Sequence, residues 1–150
     1  MDAALQACRD YDTHLKSIAT RLPEPTKAFA MAPWYGDPTH HDCPHDSWLM
    51  SLSVDADAAA SKDHGLNLTV RLLGAFHDRI LTFRYFNVAE CSFEIKRHGK
   101  HNLGDWLKDE FDITDQGCIS HEILWQFGKP WKIVSEEVEF SAENRPQKES

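Results

Sequence analysis

Cysteine is scarce in this sequence and shows no pairing pattern. The four cysteines, Cys8, Cys43, Cys91 and Cys118, form no C-x-x-C pair, and 150 residues suffice to fold around a hydrophobic core without cross-links. Scattered cysteines of this kind are typical of reduced thiols, not of a disulfide framework. The first residues also lack the basic and apolar segments of a secretory signal, and no run of about 18 apolar residues occurs. We therefore expect a cytoplasmic protein with no membrane partner.

Catalytic and nucleotide-binding motifs are missing too. The sequence has no G-x-S-x-G, no phosphate-binding loop with Gly-Lys-Ser or Gly-Lys-Thr, no G-x-G-x-x-G and no H-E-x-x-H. The acidic pairs at 109–110 and 136–137 would suit acid–base chemistry, but they fall where a helix and an edge strand normally expose their charges to solvent. We therefore expect a protein that is not an enzyme.

Positive charge is in short supply, at 16 Lys and Arg against 24 Asp and Glu, which gives a net charge of −8. This balance disfavours nucleic acid and anionic membranes as partners, because both attract a positive surface. The negative charge favours a basic protein as partner. The alternative is that the charge only keeps the protein soluble. The 41% hydrophobic and 27% charged residues are near globular averages, so we expect residues 1–150 to form one domain.

The N-terminal part of the chain combines a helical pattern with a proline-rich stretch. Residues 1–22 carry apolar side chains at three-, four- and seven-residue spacings, which predicts an amphipathic helix with Leu5, Cys8, Leu15, Ile18 and Leu22 on its apolar face. Residues 23–46 contain five of the seven prolines. Because proline breaks helices, we expect an extended linker there, anchored on the domain by Trp34 and Tyr35.

Alternation of apolar and polar residues predicts the strands. In the first strand, Trp48, Met50, Leu52 and Val54 would share the buried face. Further strands are predicted at 66–72, 80–88 and 91–95, and a hairpin joins 119–127 to 131–140. A short helical turn fits at 58–60, and a flexible tail at 141–150.

The spacing becomes helical again between Asn102 and Phe111, where Leu103, Trp106, Leu107 and Phe111 would share one face. This predicts a short helix before the last hairpin, inside the sheet-forming region 47–140. Strands so close in sequence leave no room for crossover helices and pair antiparallel. The expected fold class is therefore α+β, with a mostly antiparallel sheet of about six strands.

A dense group of potential metal ligands occurs within six residues: His40, His41, Cys43 and His45. Imidazole and thiolate are the donors that zinc prefers, so one hypothesis is a metal-dependent or small-ligand enzyme centred on this segment. Structural zinc sites usually draw ligands from two separate places, and Cys118 and His121 would have to complete the set. The alternative is a solvated linker, with His121 a satisfied, partly buried histidine.

Negative charge is concentrated in two segments. Residues 103–122 contain six acids against one lysine, and residues 136–150 contain five acids against two basic residues, so together they account for the whole charge of −8. We expect these segments to share one acidic surface that binds a basic partner, although acidity for solubility explains the charge as well. The candidate binding residues are Asp105, Trp106, Asp109, Glu110, Asp112, Asp115, Glu136 and Glu137.

Four short segments carry a family likeness: 45–49, 80–88, 105–110 and 121–125 with Trp131 after a glycine turn. Together they resemble small bacterial domains found around polymorphic toxin loci, some of which are immunity proteins. The resemblance implies a non-enzymatic protein that occludes a toxin, often a nuclease with a basic substrate groove. A third hypothesis is an oligomeric scaffold component that pairs through an edge strand.

Overall fold

The structure, a computed structural model, describes residues 2–56 and 65–146. Helix α1 spans Ala3–Ile18 and is extended by a 3-10 turn at Ala19–Arg21, helix α2 spans Glu24–Ala30, and a second 3-10 turn spans Pro33–Gly36. The strands are β1 (Trp48–Ala56), β2 (Leu66–Leu73), β3 (Arg79–Ser92), β4 (Trp106–Ile113), β5 (Ile119–Trp125) and β6 (Trp131–Asn144). The turn predicted at 58–60 lies outside the described residues.

Among the described residues the six strands form one antiparallel sheet in the order β1-β2-β3-β6-β5-β4, which confirms the α+β fold class. The sheet curls until its two edges meet at one end. There the Asp46 N–H donates to the Trp106 carbonyl at 2.8 Å, and the Trp106 N–H donates to the Ser47 carbonyl at 3.0 Å. The concave face of the sheet consequently encloses much of the core.

Helix α2 anchors the N-terminal segment on that core. Phe29 has its ring centroid within 6 Å of the rings of Phe83 and Phe111, which belong to strands β3 and β4. The Thr26 hydroxyl donates to the Val138 carbonyl at 2.7 Å and accepts from the Val138 N–H at 3.0 Å, so it takes the place of a neighbouring strand. No helix in the described part of the chain is long and apolar enough to cross a membrane.

The extended linker predicted at 23–46 is wrong, since α2 and a 3-10 turn lie within it. Pro25 and Pro33 each stand in the first turn of their helix, where the missing N–H has no intrahelical partner to lose. Thr26, Phe29 and Ala30 are buried. The expected anchoring role is confirmed, because Trp34 and Tyr35 pack against the core.

The short helix predicted between 102 and 111 is also wrong, because residues 106–113 form β4. The register with β5 shifts between Trp106 and Lys108, which is the mark of a β-bulge. Because of the bulge, the next inward-facing residue after Trp106 is Asp109, three positions along the chain. A spacing of three is also what neighbouring residues on one face of a helix show. Asp109 hides the alternation further, since a carboxylate at an inward position breaks the apolar pattern.

A second bulge overturns the predicted buried face of β1. The register with β2 shifts between Leu49 and Ser51, so Leu49 and Leu52 pack against the core. Trp48 and Met50 are 47% and 48% exposed, and Val54, near the end of the strand, is 58% exposed.

Two strand boundaries differ from those expected. The predicted strand at 80–88 continues to Ser92 as one strand, β3, because a register shift between Val88 and Glu90 bends the chain without ending its pairing with β6, and residues 93–95 lie outside it. The predicted tail at 141–150 begins too early, since Ser141–Asn144 pair with Thr82–Arg79. The closing hairpin of β5 and β6 is confirmed, as are the buried Leu15, Ile18 and Leu22, whereas Cys8 is exposed.

The turn into β4 depends on a glycine. Gly104 has φ +71°, and an added Cβ would lie 2.9 Å from the Gln126 Cβ and 2.9 Å from the Phe127 ring. We expect Gly104→Ala to lower the free energy of unfolding by about 2–4 kcal/mol, through backbone strain and crowding. Gly99→Ala is the matched control, because Gly99 has φ +62° and nothing within 4 Å. Urea unfolding of both variants measures the difference, and equal losses would contradict the crowding.

Candidate functional site

A line of hydrogen bonds joins four side chains across the core. The Tyr85 hydroxyl, on β3, lies 2.7 Å from Nδ1 of His121 on β5, and Nε2 of His121 lies 2.6 Å from Oδ2 of Asp109 on β4. The same Oδ2 accepts a hydrogen bond from the Tyr35 hydroxyl, in the second 3-10 turn. His121 is fully buried and the Asp109 side chain is only 9% exposed. We call these four residues the polar core.

The proton arrangement that satisfies every donor in the polar core follows from its geometry. Tyr85 donates to Nδ1 of His121, and the His121 Nε2–H donates to Asp109. Asp109 accepts a third hydrogen bond, at Oδ1, from the Trp106 indole N–H at 3.3 Å. A buried carboxylate with three donors has its desolvation largely offset.

Burial shapes the chemistry of the tyrosines around Asp109. It raises the pKa of Tyr35 and Tyr85 well above the ordinary value, and the negative charge of Asp109 raises both further. Tyr11, whose hydroxyl accepts the Phe111 N–H at 2.8 Å, also has its pKa raised, chiefly by burial. All three phenols therefore stay protonated at physiological pH.

The polar core is closed to substrates. The His121 ring stacks on Phe111 with centroids 4.0 Å apart and planes 9° apart, and Phe83 and Trp106 lie within 6 Å of it. His121 is thus a satisfied histidine, as expected, and its burial is complete rather than partial. The arrangement joins β3, β4 and β5 through side chains, with His121 fully buried and the Asp109 side chain 9% exposed.

Three of the predicted binding residues do not belong to an acidic surface. Trp106 is 1% exposed and Asp109 points into the core. Asp105 is half-buried and accepts a hydrogen bond from the Trp48 indole N–H at 2.6 Å. Each is held by internal contacts and not offered to a partner.

The structure brings other acids together on the outside of β4 and β5. Glu110 and Glu122 are direct cross-strand partners, and both are exposed. Asp112 lies two residues along β4 and is exposed, with Oδ1 2.9 Å from Nε2 of His14. We call the surface of Lys108, Glu110, Asp112, Glu122 and Leu124 the β4–β5 outer face.

The remaining predicted acids lie outside this face. Asp115 is exposed in the β4–β5 turn. β6 pairs with β5 no further than Ser135, so Glu136 and Glu137 lie beyond the last shared pair, and Glu137 is paired with Phe86 of β3.

Three of the four candidate metal ligands form hydrogen bonds within the chain, whereas Nδ1 of His45 is buried without a hydrogen bond among the described residues. Nδ1 of His41 lies 2.5 Å from Asp78 and Nδ1 of His45 lies 3.2 Å from Asp46. His40 accepts a hydrogen bond from a backbone N–H, and the Cys43 thiol donates to the Tyr35 carbonyl. In the ranges 2–56 and 65–146, no three His, Cys, Asp or Glu side chains are placed to hold a metal ion. Cys118 and His121 do not complete such a set.

Sequence reasoning missed the tyrosines of the polar core and the inward position of Asp109. Asp109 and Phe111 share the inner face of β4, two residues apart, opposite Ile123 and His121 of β5. If residues 109–113 are taken as a strand with alternating faces, Asp109 falls on the same face as the core residue Phe111. The contribution of Tyr35 has no local signal, because its partner is 74 residues away.

Comparison of the chain with protein-family models, with curated proteins and with solved structures gives no match. The function is therefore argued from the geometry of these surfaces.

Removing the Asp109 carboxylate leaves three buried donors without an acceptor. We expect Asp109→Ala to lower the free energy of unfolding by about 3–5 kcal/mol, the cost of breaking a buried pair. Asp112→Ala removes the carboxylate of an exposed His–Asp pair and should cost at most about 1 kcal/mol. Urea unfolding monitored by tryptophan fluorescence measures both. Similar losses in the two variants would contradict a central role for Asp109.

Folding keeps the three tyrosines neutral, so the folded state retains protons that the unfolded state loses above its ordinary pKa of about 10. This contribution to stability is complete below pH 10 and declines as the pH rises further. Because the sequence has three tyrosines, we expect all of them to ionise together as the protein unfolds in alkali. Tyrosinate absorbance and circular dichroism should change together, and a tyrosine that ionises near pH 10 in folded protein would refute this.

Proposed function

We propose that this chain is a non-enzymatic protein that binds and neutralises a basic partner protein through the β4–β5 outer face. The observation that carries the proposal is the direct opposition of Glu110 and Glu122. Glu122 also has Lys132 of β6 as its cross-strand neighbour on the other side. Within 2–56 and 65–146, no lysine or arginine forms an ion pair with either glutamate.

Like charges directly opposite on a sheet cost stability, by roughly 0.2–1 kcal/mol. A solvated acidic surface does not require such an arrangement, because the same charges placed diagonally would repel less. A cationic side chain placed between Glu110 and Glu122 would remove the repulsion and gain two charge-assisted hydrogen bonds. The opposed pair is therefore better suited to binding than to solubility.

The surface beside the two glutamates has a suitable shape for that side chain. A shallow pocket of about 140 Å³ is lined by three acids, Asp109, Glu110 and Glu122, together with Lys108, Leu124 and Pro130. Leu124 and Pro130 supply an apolar wall for the methylene groups of an arginine or lysine, and the carboxylates receive its charged end. The pocket supports recognition of a basic residue at the centre of an interface.

The class of partner follows from this chemistry and from the family resemblance. An immunity protein of a polymorphic toxin system would present acids to the basic substrate groove of a nuclease-type toxin. Complementary charge accelerates such an association and makes it depend on salt. We infer a bacterial, cytoplasmic role of this kind, in which the chain occludes the toxin and carries out no reaction.

The side chains that an enzyme would use do not favour one here. His121 and Asp109 are closed in the core and cannot reach a substrate. His41 and Cys43 each have a hydrogen-bond partner within the chain, and His45 lies 3.2 Å from Asp46. Binding through an exposed acidic face is the function that the geometry supports best.

Reversing one charge separates binding from stability. We expect Glu110→Lys to raise the free energy of unfolding by about 0.5 kcal/mol, because a cross-strand repulsion becomes an attraction. The same variant should weaken the complex with a basic toxin at least about tenfold, or about 1.4 kcal/mol. Calorimetric titration against the purified product of the adjacent toxin-like gene measures binding, and urea unfolding measures stability.

Glu136→Lys is the matched control, because Glu136 is exposed, undergoes the same charge change and lies outside the face. It should alter binding much less than Glu110→Lys. Equal weakening by the two variants would mean that net charge, not the face, governs association. Binding that persists in Glu110→Lys would overturn the proposal.

A further inference from the structure

Among the described residues, strand β1 pairs with a neighbouring strand along one side only for most of its length. It pairs with β2 along one side. On the other side, the hydrogen bonds from Asp46 and to Ser47 tie the start of the strand to β4. Beyond the bulge at Met50, no segment in the described ranges pairs with Ser51–Ala56 on that side. These six residues run in one continuous register along β2.

The opposite edge of the sheet is treated differently. On β4, the Phe111 N–H donates to the Tyr11 hydroxyl of α1, and the Ile113 N–H donates to the Asp112 carboxylate. Both bonds cap backbone groups that would otherwise be open to another strand. The chain therefore covers one edge with side chains and leaves the other available.

Beyond the bulge at Met50, the free edge carries little of the usual protection against pairing. Natural edge strands carry lysines, prolines or inward charges that discourage association. Ser51–Ala56 has no lysine and no proline, and its one charge is Asp55. Val54 is 58% exposed, and Leu66, beside the end of β1 on β2, is 48% exposed. A further strand would remove apolar surface from water here.

The charge pattern favours a second copy of the same chain as the occupant. In an antiparallel pairing about a two-fold axis between Leu52 and Val54, Asp55 faces an uncharged residue and not its own copy. The chain's excess of acids is confined to 103–122 and 136–150, so the region of β1 and β2 is close to neutral overall. Two copies can approach at this edge with little repulsion from the segment itself.

We propose that the chain forms a two-fold dimer in which Ser51–Asp55 pairs antiparallel with the same residues of a second copy. Backbone hydrogen bonds give the affinity, as in other cases of strand addition. The interface is isologous and closes on itself, so it ends at two copies. This proposal does not depend on the β4–β5 outer face.

Light scattering on the full chain over a range of about 1–100 µM tests the proposal, because dimerisation makes mass depend on concentration. The mass should approach twice 17.2 kDa at the upper end. Val54→Lys should shift the midpoint to at least about tenfold higher concentration, since an edge lysine opposes strand addition. Ile95→Lys, at a site 56% exposed and outside every strand, is the matched control and should leave the midpoint unchanged.

Hydrogen exchange gives a measurement on the unaltered chain. Amides of 51–55 should be protected at high concentration and lose that protection on dilution, while β3 amides stay protected. If the chain is a monomer at every concentration, the proposal is wrong. The edge is then free, covered by the chain itself, or reserved for a strand of another protein. A dimer that Val54→Lys and Ile95→Lys weaken equally also overturns it. Glu110→Lys should leave dimerisation intact.

Discussion

The burial of the Asp109 carboxylate constrains the whole sheet. A charged group in an apolar interior is costly unless several donors reach it, and the donors here come from distant parts of the chain: Tyr35, Trp106 and His121. Tyr85 completes the line from β3, which two strands separate from β4 in the sheet order. A flat sheet would hold these side chains apart. The sheet therefore has to curl for Asp109 to receive its hydrogen bonds.

The curl determines which backbone groups remain open. Where the edges meet, Asp46 and Ser47 bond to Trp106, and the Trp48 indole bonds to Asp105. Helix α1 packs on β4, where Tyr11 caps Phe111. The far half of β1 is left without such a cover among the described residues. One open edge is thus a geometric result of closing the sheet at one end and packing α1 along β4.

Local patterns in the sequence predict the elements that have regular geometry. The β5–β6 hairpin alternates strictly from Ile119, and the face of Leu15, Ile18 and Leu22 has helical spacing, so both are confirmed. The errors occur at β4 and β1, where a bulge shifts the alternation. The polar core was not predictable, because Tyr35 and Asp109 are 74 residues apart and only the fold brings them together.

The acidic face and the open edge have opposite electrostatic requirements. A face that attracts a basic protein gains from an excess of negative charge, as at Glu110, Asp112 and Glu122, whereas an edge that receives an identical copy gains from neutrality. Exposed charges are largely screened beyond about 8 Å at physiological salt, so the two requirements conflict only if the surfaces adjoin. Glu110 and Glu122 lie on the outer face of β4 and β5. Ser51–Ala56 begins after the residues that join the start of β1 to β4. Because a two-fold axis at β1 leaves both acidic faces uncovered by this pairing, a dimer would present two of them, and each copy would bind its partner independently.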